Sequence, residues 1–432
     1  MPSSLDVRLA RLAELHPRSI DLSLERIQRL LGQLGHPERN LGRVVHVAGT
    51  NGKGSVVAML AAVQRAAGRT VNAYVSPHLL HFNERMLIDG KPIKDEPLVA
   101  VLDAAEEANA GAPITFFEIT TAAAFLVFSA RPAEITILET GLGGRLDATN
   151  VIERPALTVI TPVGLDHCDR LGGTLSEIAA EKAGILKEGV PVVVGRQRPA
   201  AMGVITKRAR ALRAPLLRYG AEWCLERDVT AARYVDSAGR RIELPTALQG
   251  AHQKENAAVV AACIAATPDL AVPEEAAIRG FERVRWPGRL QRLRKGRLVG
   301  IAAPLELWLD TGHNPDSAQV LADWGSEGPP LRLIVGLLKS KDPASFFRPF
   351  CGVAGGVATV SLGSNAVGWD PDELAAVAKS VGLCASPFDS LEAAVRWAGE
   401  AVTRHRILMT GSFLLAGQVL RGTGPSEFGI GF

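Results

Sequence analysis

Between residues 21 and 35 (DLSLERIQRLLGQLG), the apolar positions Leu24, Ile27, Leu30, Leu31 and Leu34 recur at steps of three and four. That spacing lines one face of an amphipathic helix, and residues 5–34 read as helices. Then the pattern changes. Val44 to Ala48 is a short β-branched run ending in Gly49, and SVVAMLAAVQRAAG after it reads as a helix closed by Gly68. Strand-like runs follow at TVNAYV, EITILE, ALTVIT and PVVVG, separated by helical stretches such as TTAAAFLVFSA. Near-continuous apolar strands alternating with helices predict a mostly parallel sheet covered on both faces.

From about Leu216 to Leu244 the chain turns polar and irregular, and a helix is expected over 256–266. The stretch 284–297 (VRWPGRLQRLRKGR) has no clear period, and its far end reads as a domain linker. Beyond it LELWLD, LRLIVGLL, GVATVSL and RILMTG predict four strands interleaved with helices, a second and smaller α/β domain. The expected division is 1–294 and 295–432.

Composition narrows the partners. Net charge is only +3, with no long basic run, which argues against a nucleic-acid stripe or a polybasic membrane patch. The five cysteines are scattered and never form a C-x-x-C pair, as expected of a reducing compartment without structural zinc. The first residues are charged and amphipathic rather than a signal core, and Thr120 to Ala130 is too short to span a bilayer. A cytoplasmic protein is expected, with no nucleic-acid or membrane partner.

The chemistry begins at VVHVAGTNGKGS: strand, glycine turn, lysine, hydroxyl, helix. Glycines let successive N–H groups face phosphate oxygens, and the helix adds its positive end. Lys53 supplies a point charge for the outer phosphates and Ser55 a hydroxyl near a metal. The spacing departs from G-x-x-x-x-G-K-[ST], since Gly49 stands three before Gly52 and Gly54 precedes Ser55; an accidental glycine turn is the bland alternative. Glu139 ends an apolar strand, where α/β sheets bind ligands, and could hold magnesium directly or through water. GLGGR lacks the spacing of a dinucleotide fingerprint, and Asp147 beyond it suits a turn as well as a site. Asp166 and His167 follow another strand end, and His167 there reads as a metal-ligand candidate. Thr174 and Glu177 are spaced as a capping box for a helix containing Lys182, a residue whose spacing alone says only solvated charge.

Taken together, AGTNGKGS, SPHLLHFNER, TFFE, LETGLGGRLDATN, LDH, EKAGI, GAHQKENAA, PGRL, LDTGHNP and MTGSF resemble the bacterial dihydrofolate synthase/folylpolyglutamate synthase family of Mur-type ATP-dependent amide ligases, from Ser19 to about Ala416. The resemblance implies a large N-terminal P-loop ATPase domain with a mostly parallel sheet, and a smaller Rossmann-like α/β C-terminal domain for glutamate ligation. It implies that Thr50, Asn51, Gly52, Lys53, Gly54 and Ser55 hold ATP, with Asn256, Arg289 and Asp310 contacting the nucleotide. Ser76, Glu139 and His167 would bind magnesium, and a carbamylated Lys182 a second ion. The pteroate pocket would take Ser19, Ile20, Asp21, Leu22, Thr115, Phe116, Phe117, Leu146, Asp147 and Ala148, with Asp147 bonding the pterin N–H groups. His313 and Lys341 would lie near the acyl phosphate or the incoming glutamate, His313 in a catalytic role. Phe82 beside the NER motif differs from some relatives, which bears on substrate preference.

The expected activity is ligation of L-glutamate to dihydropteroate and to reduced folates through an acyl phosphate, by a monomer that closes about a hinge near Arg289. The rivals are a monofunctional member of the family, a cell-wall Mur ligase and a non-catalytic nucleotide switch. A switch would need no substrate pocket, and a cell-wall ligase would lack SPHL.

Overall fold

The computed structural model describes residues 4–16, 21–228, 231–363, 367–400, 405–423 and 429–431, so the candidates Ser19 and Ile20 lie outside it. The chain divides into two compact units, Met1–Ala247 with Lys254–Val284 and Gly431–Phe432, and Leu248–Gln253 with Arg285–Ile430.

The first unit is built on an eight-stranded sheet. From edge to edge its strands are Lys91–Pro92, Met86–Ile88, Val71–Tyr74, Ile135–Glu139, Arg43–Ala48, Leu157–Ile160, Val192–Val194 and Leu216–Arg218. All neighbours from Val71–Tyr74 onward pair in parallel, and the first two strands attach antiparallel. Every residue of Ile135–Glu139 is buried, which is why that strand reads as an unbroken apolar run rather than an alternation. The central strand Arg43–Ala48 carries the glycine turn, and its register sets Val47 opposite Glu139 and Ala48 opposite Ile160. The turn and the carboxylate therefore emerge side by side at the C-terminal end of the sheet.

The helix Lys53–Ala66 leaves that turn with every residue from Gly54 to Gln64 buried, so its sequence shows no polar face. The helix Phe116–Ala130 is likewise sunk in a core with Leu30, Leu31, Leu98 and Leu102. Its start is a capping box: the Thr115 hydroxyl accepts from the Glu118 N–H, and the Thr115 N–H donates to Glu118. The expected box at Thr174 and Glu177 is present too, at the head of the helix Leu175–Lys182.

The helices expected over 5–34 are Ser4–Ala13 and Glu25–Gln33. Two other expectations change. The polar stretch 216–244 holds the edge strand Leu216–Arg218 and an antiparallel sheet of Trp223–Arg227, Ala232–Asp236 and Arg241–Glu243. These strands are short and largely half-exposed, so no apolar run announced them. Within the expected linker, Gln291–Leu293 is a strand pairing antiparallel with Glu306–Leu309.

The second unit has a six-stranded sheet ordered Gln291–Leu293, Glu306–Leu309, Arg406–Thr410, Leu331–Val335, Ala354–Val360 and Ala385–Phe388. Beyond the first strand all pairing is parallel. The four strands expected from sequence are all there. Ala385–Phe388 was not anticipated; it is an edge strand containing Pro387 and mostly half-buried residues. Its core gathers Leu331, Leu333, Phe346, Phe347, Phe350 and Leu374. Among the described residues, no helix is long and apolar enough to cross a membrane.

Candidate functional site

The loop 49–54 is possible only because of its glycines. Gly49 has φ +152, and a Cβ there would fall 1.8 Å from Thr161 Oγ1; Gly52 has φ +87, and a Cβ would meet Asn256 Oδ1 at 2.5 Å. The same closeness places Asn256, expected at the nucleotide, directly against the turn. The N–H groups of Thr50 and Asn51 both donate to the Pro162 carbonyl, at 2.9 and 3.2 Å. Those two amides anchor the loop to the neighbouring strand end. Gly52 caps the helix Lys53–Ala66, so the amides aimed at an anion are those of its first turn, which have no acceptor within a helix. The Ser55 side chain is buried in that turn.

Two lysines converge on this loop. Lys53 Nζ donates to the Gly49 carbonyl at 3.1 Å and to that of Thr50 at 3.4 Å. Lys182 Nζ donates to the same Gly49 carbonyl at 2.8 Å, although it comes from the end of a different helix. Burial, reinforced by the Lys53 charge, lowers the Lys182 ammonium to about 7, while Asp166 and Asp147 oppose that shift. Glu139 lies across the loop, nearly buried, with Oε1 3.9 Å from Lys53 Nζ. Its other oxygen accepts weakly from the Ser76 N–H at 3.5 Å. The structure thus brings Lys53, Ser76, Glu139, Lys182 and the glycine loop together.

His167 stands at the cap of the short helix Cys168–Leu171 with φ +53, and its N–H donates to Asp166 Oδ1 at 2.9 Å. Among the described residues no three His, Cys, Asp or Glu side chains are placed to hold a metal ion. Magnesium seldom needs such a cage, since one or two carboxylates with phosphate oxygens and water suffice. Glu139, a hard oxygen donor beside the phosphate loop, fits that requirement.

The loop after Glu139 is organised by Asp147, which is 2% exposed. Its Oδ2 accepts from the Leu142 N–H at 2.8 Å, and its Oδ1 accepts from the Thr149 N–H at 3.0 Å and hydroxyl at 2.6 Å. Burial raises its pKa while these bonds pull it back. Both carboxylate oxygens thus hold the loop 142–149 in shape.

The aromatic candidates Phe116 and Phe117 open the helix Phe116–Ala130, and both are half-buried. Phe116 packs edge-on against Phe82 at 5.7 Å between ring centroids, and Phe117 lies 6.0 Å from Tyr74. Asp21 reaches this helix start through Arg26, which donates to Asp21 Oδ2 at 2.9 Å and to Glu118 Oε2 at 3.0 Å. One residue missed in sequence is Glu84. It accepts from the N–H groups of Leu79, Leu80 and His81 and so holds the SPHLLH turn in shape. A buried carboxylate three residues after a run of loop amides is the signal that could have found it.

In the second unit, Asp310 ends the strand Glu306–Leu309, buried, and accepts from the N–H groups of Leu290 at 2.7 Å and Gly312 at 2.6 Å. Arg289 donates to Thr311 Oγ1 at 2.6 Å and lies over the Phe413 ring, 5.2 Å from its centroid. His313 Nδ1 meets the Thr311 carbonyl at 2.9 Å. Lys341 precedes the helix Pro343–Phe347, and its carbonyl accepts from the Trp369 indole at 3.3 Å. PGRL, leading into the antiparallel edge strand, thus meets LDTGHNP and MTGSF at the C-terminal ends of the parallel strands Glu306–Leu309 and Arg406–Thr410.

A phosphate-type glycine loop on a parallel sheet, flanked by convergent lysines and a buried carboxylate, defines a phosphate-loop α/β protein with a second α/β unit. Residues 47–264 match the family model for the Mur ligase middle domain. The dihydrofolate synthase/folylpolyglutamate synthase of Bacillus subtilis (strain 168) is 40% identical over 69% of this chain and 71% of that protein. Escherichia coli FolC in complex with DHPP and ADP has a TM-score of 0.86 at 30% identity, covering 98% of both chains. A bifunctional folylpolyglutamate synthase/dihydrofolate synthase with Mn, AMPPNP and L-glutamate bound has a TM-score of 0.85 at 28% identity, covering 97% of this chain and 98% of that one. The chain belongs to the dihydrofolate synthase/folylpolyglutamate synthase family of Mur-type ligases.

Proposed function

We propose that this protein uses ATP to join L-glutamate to dihydropteroate, forming dihydrofolate, and to reduced folates, extending their glutamate tails. The observation that carries the reading is the convergence of Lys53 and Lys182 on the Gly49 carbonyl, with Glu139 3.9 Å from Lys53. Lys53 puts a positive charge where a triphosphate would lie, beside a carboxylate able to hold a divalent ion, and Lys182 reaches the same loop from another helix.

Joining a carboxylate to an amine is uphill in water. The γ-phosphoryl group moves from ATP to the substrate carboxylate, leaving ADP and an acyl phosphate. The glutamate amine attacks the carbonyl carbon, gives up a proton, and phosphate departs from the tetrahedral intermediate as the amide forms. Lys53 and the first-turn amides of its helix face the phosphoryl oxygens where charge develops. Thr50, Asn51 and Asn256 shape the nucleotide side of that turn. Glu139, with Ser76 and His167, would hold magnesium, and Lys182 as a carbamate would hold a second ion. When bound, such ions neutralise phosphoryl charge.

Phe116 and Phe117 offer flat apolar surface to a pteroate ring, with Asp21, Leu22, Thr115 and the loop of Leu146, Asp147 and Ala148 around it. In the second unit, Arg289 and Asp310 take the nucleotide roles, and His313 and Lys341 serve the acyl phosphate or glutamate.

Asp147→Ala tests the loop. It leaves the buried Thr149 N–H and hydroxyl and the half-buried Leu142 N–H without this acceptor, at about 1–3 kcal/mol for each buried group left unsatisfied. The melting temperature should fall, and dihydropteroate affinity should fall more than ATP affinity, read by separate titrations of the folded variant. Equal loss for both ligands would limit Asp147 to a role in stability.

The activity itself is tested by ADP release with dihydropteroate or a reduced folate monoglutamate, each with L-glutamate. Turnover with both is expected. Turnover with one alone means a monofunctional enzyme, and turnover with neither overturns the proposal.

A further inference from the structure

The strand leading into the phosphate loop carries a residue that the reaction described above does not use. His46 interrupts the apolar run VVHVA, is fully buried, and sits three residues before Gly49. Its Nε2 lies 2.8 Å from Thr149 Oγ1, and its Nδ1, also buried, has no hydrogen-bond partner among the described residues. Thr149 is fully buried as well, and its hydroxyl donates to Asp147 Oδ1 at 2.6 Å.

A hydroxyl has one proton. With the Thr149 proton directed to the Asp147 carboxylate, Thr149 Oγ1 can only accept from the imidazole. His46 must then carry its proton on Nε2 and leave Nδ1 bare, which agrees with the unpartnered Nδ1. Burial, with the Lys187 charge adding to it, lowers the ring to about 3, so it stays neutral.

We propose that His46, as its neutral Nε2–H tautomer, is a positioning residue that orders the Asp147 loop by donating to Thr149. The chain runs from the central strand through Thr149 to Asp147 and on to the Leu142 N–H. It ties the loop following Glu139 to the strand that carries the phosphate loop. The link to pteroate rests on the function proposed above, which gives that loop to the pteroate pocket. His46 touches neither ligand. Its effect passes through Thr149, so it should appear in dihydropteroate binding and not in ATP binding.

Three variants and one spectrum test this. His46→Leu removes the donor, His46→Gln restores an N–H near the Nε2 position, and Thr149→Val removes the hydroxyl. His46→Leu and Thr149→Val should each raise KM for dihydropteroate about tenfold while KM for ATP stays within about twofold, an effect of the size expected when a buried hydrogen bond is lost. His46→Gln should recover most of that loss. A merely structural role would move both KM values together, or leave Gln no better than Leu; either outcome overturns the proposal. Independently of activity, nitrogen-15 NMR of the wild-type protein should show, beside other non-titrating histidines such as His78, an Nε2–H histidine signal that stays constant between pH 5 and 8 and disappears in His46→Gln. An Nδ1–H tautomer at His46 overturns the hydrogen-bond chain. If the wild-type protein proves inactive with dihydropteroate, the functional reading fails while the spectrum still decides the chain.

Discussion

Lys53→Ala is expected to lower ligation by about a hundredfold to a thousandfold, the scale seen when one preorganised donor to a developing negative charge is removed. Its ammonium bonds the carbonyls of Gly49 and Thr50 and faces Glu139 at 3.9 Å. None of these contacts builds the core, so the fold should survive. ADP release and a melting curve measured on the same preparation separate the two effects. Wild-type turnover in a well-folded Lys53→Ala protein would end the phosphate-loop assignment.

The second large effect concerns Lys182. An amine joins carbon dioxide only as the neutral base, forming the N–C bond of a carbamate and releasing a proton. Burial favours that neutral base by lowering the group to about 7, where a surface lysine would remain an ammonium. Its position at the Gly49 carbonyl would set the proposed carbamate beside the phosphate loop. Lys182→Ala should reduce ligation at least about a hundredfold, since it would remove that anionic ligand from phosphoryl-transfer chemistry that depends on bound metal. Millimolar formate or acetate should restore part of the loss by supplying carboxylate oxygens in the space left behind. Density for an unmodified ammonium at Lys182 in a crystal of the ATP–magnesium complex would refute the carbamate. Full activity in Lys182→Ala would remove the residue from the reaction altogether.

These two lysines also mark the boundary of what a sequence shows. Lys53 was legible because its setting is local: a β-branched strand, glycines with positive φ and a helix start are all contiguous in the chain. Glu139 was legible for a related reason, since it ends an apolar strand and strand ends are where such sheets bind ligands. Lys182 had no such setting. Spacing alone made it a surface charge, and only the family resemblance singled it out. Its partner carbonyl lies 133 positions earlier in the chain.

Local patterning determined most of the architecture of this protein. The alternation of apolar strands and helices, the glycine turn, the capping boxes of Thr115 and Thr174, and the presence of a second α/β unit all follow from residue types within a few positions of one another. Short or edge strands such as Gln291–Leu293 and Ala385–Phe388 escaped because their half-exposed residues form no apolar run. Tertiary structure alone decided the electrostatics and hydrogen bonding of the site. It buried Lys182 against Gly49, turned the Asp147 oxygens inward, and set His46 against Thr149, 103 positions away. The physical reason is that a hydrogen bond or a desolvated charge depends on which atoms surround a group. In a parallel sheet those atoms come from strands distant in sequence, brought together only when the whole sheet assembles.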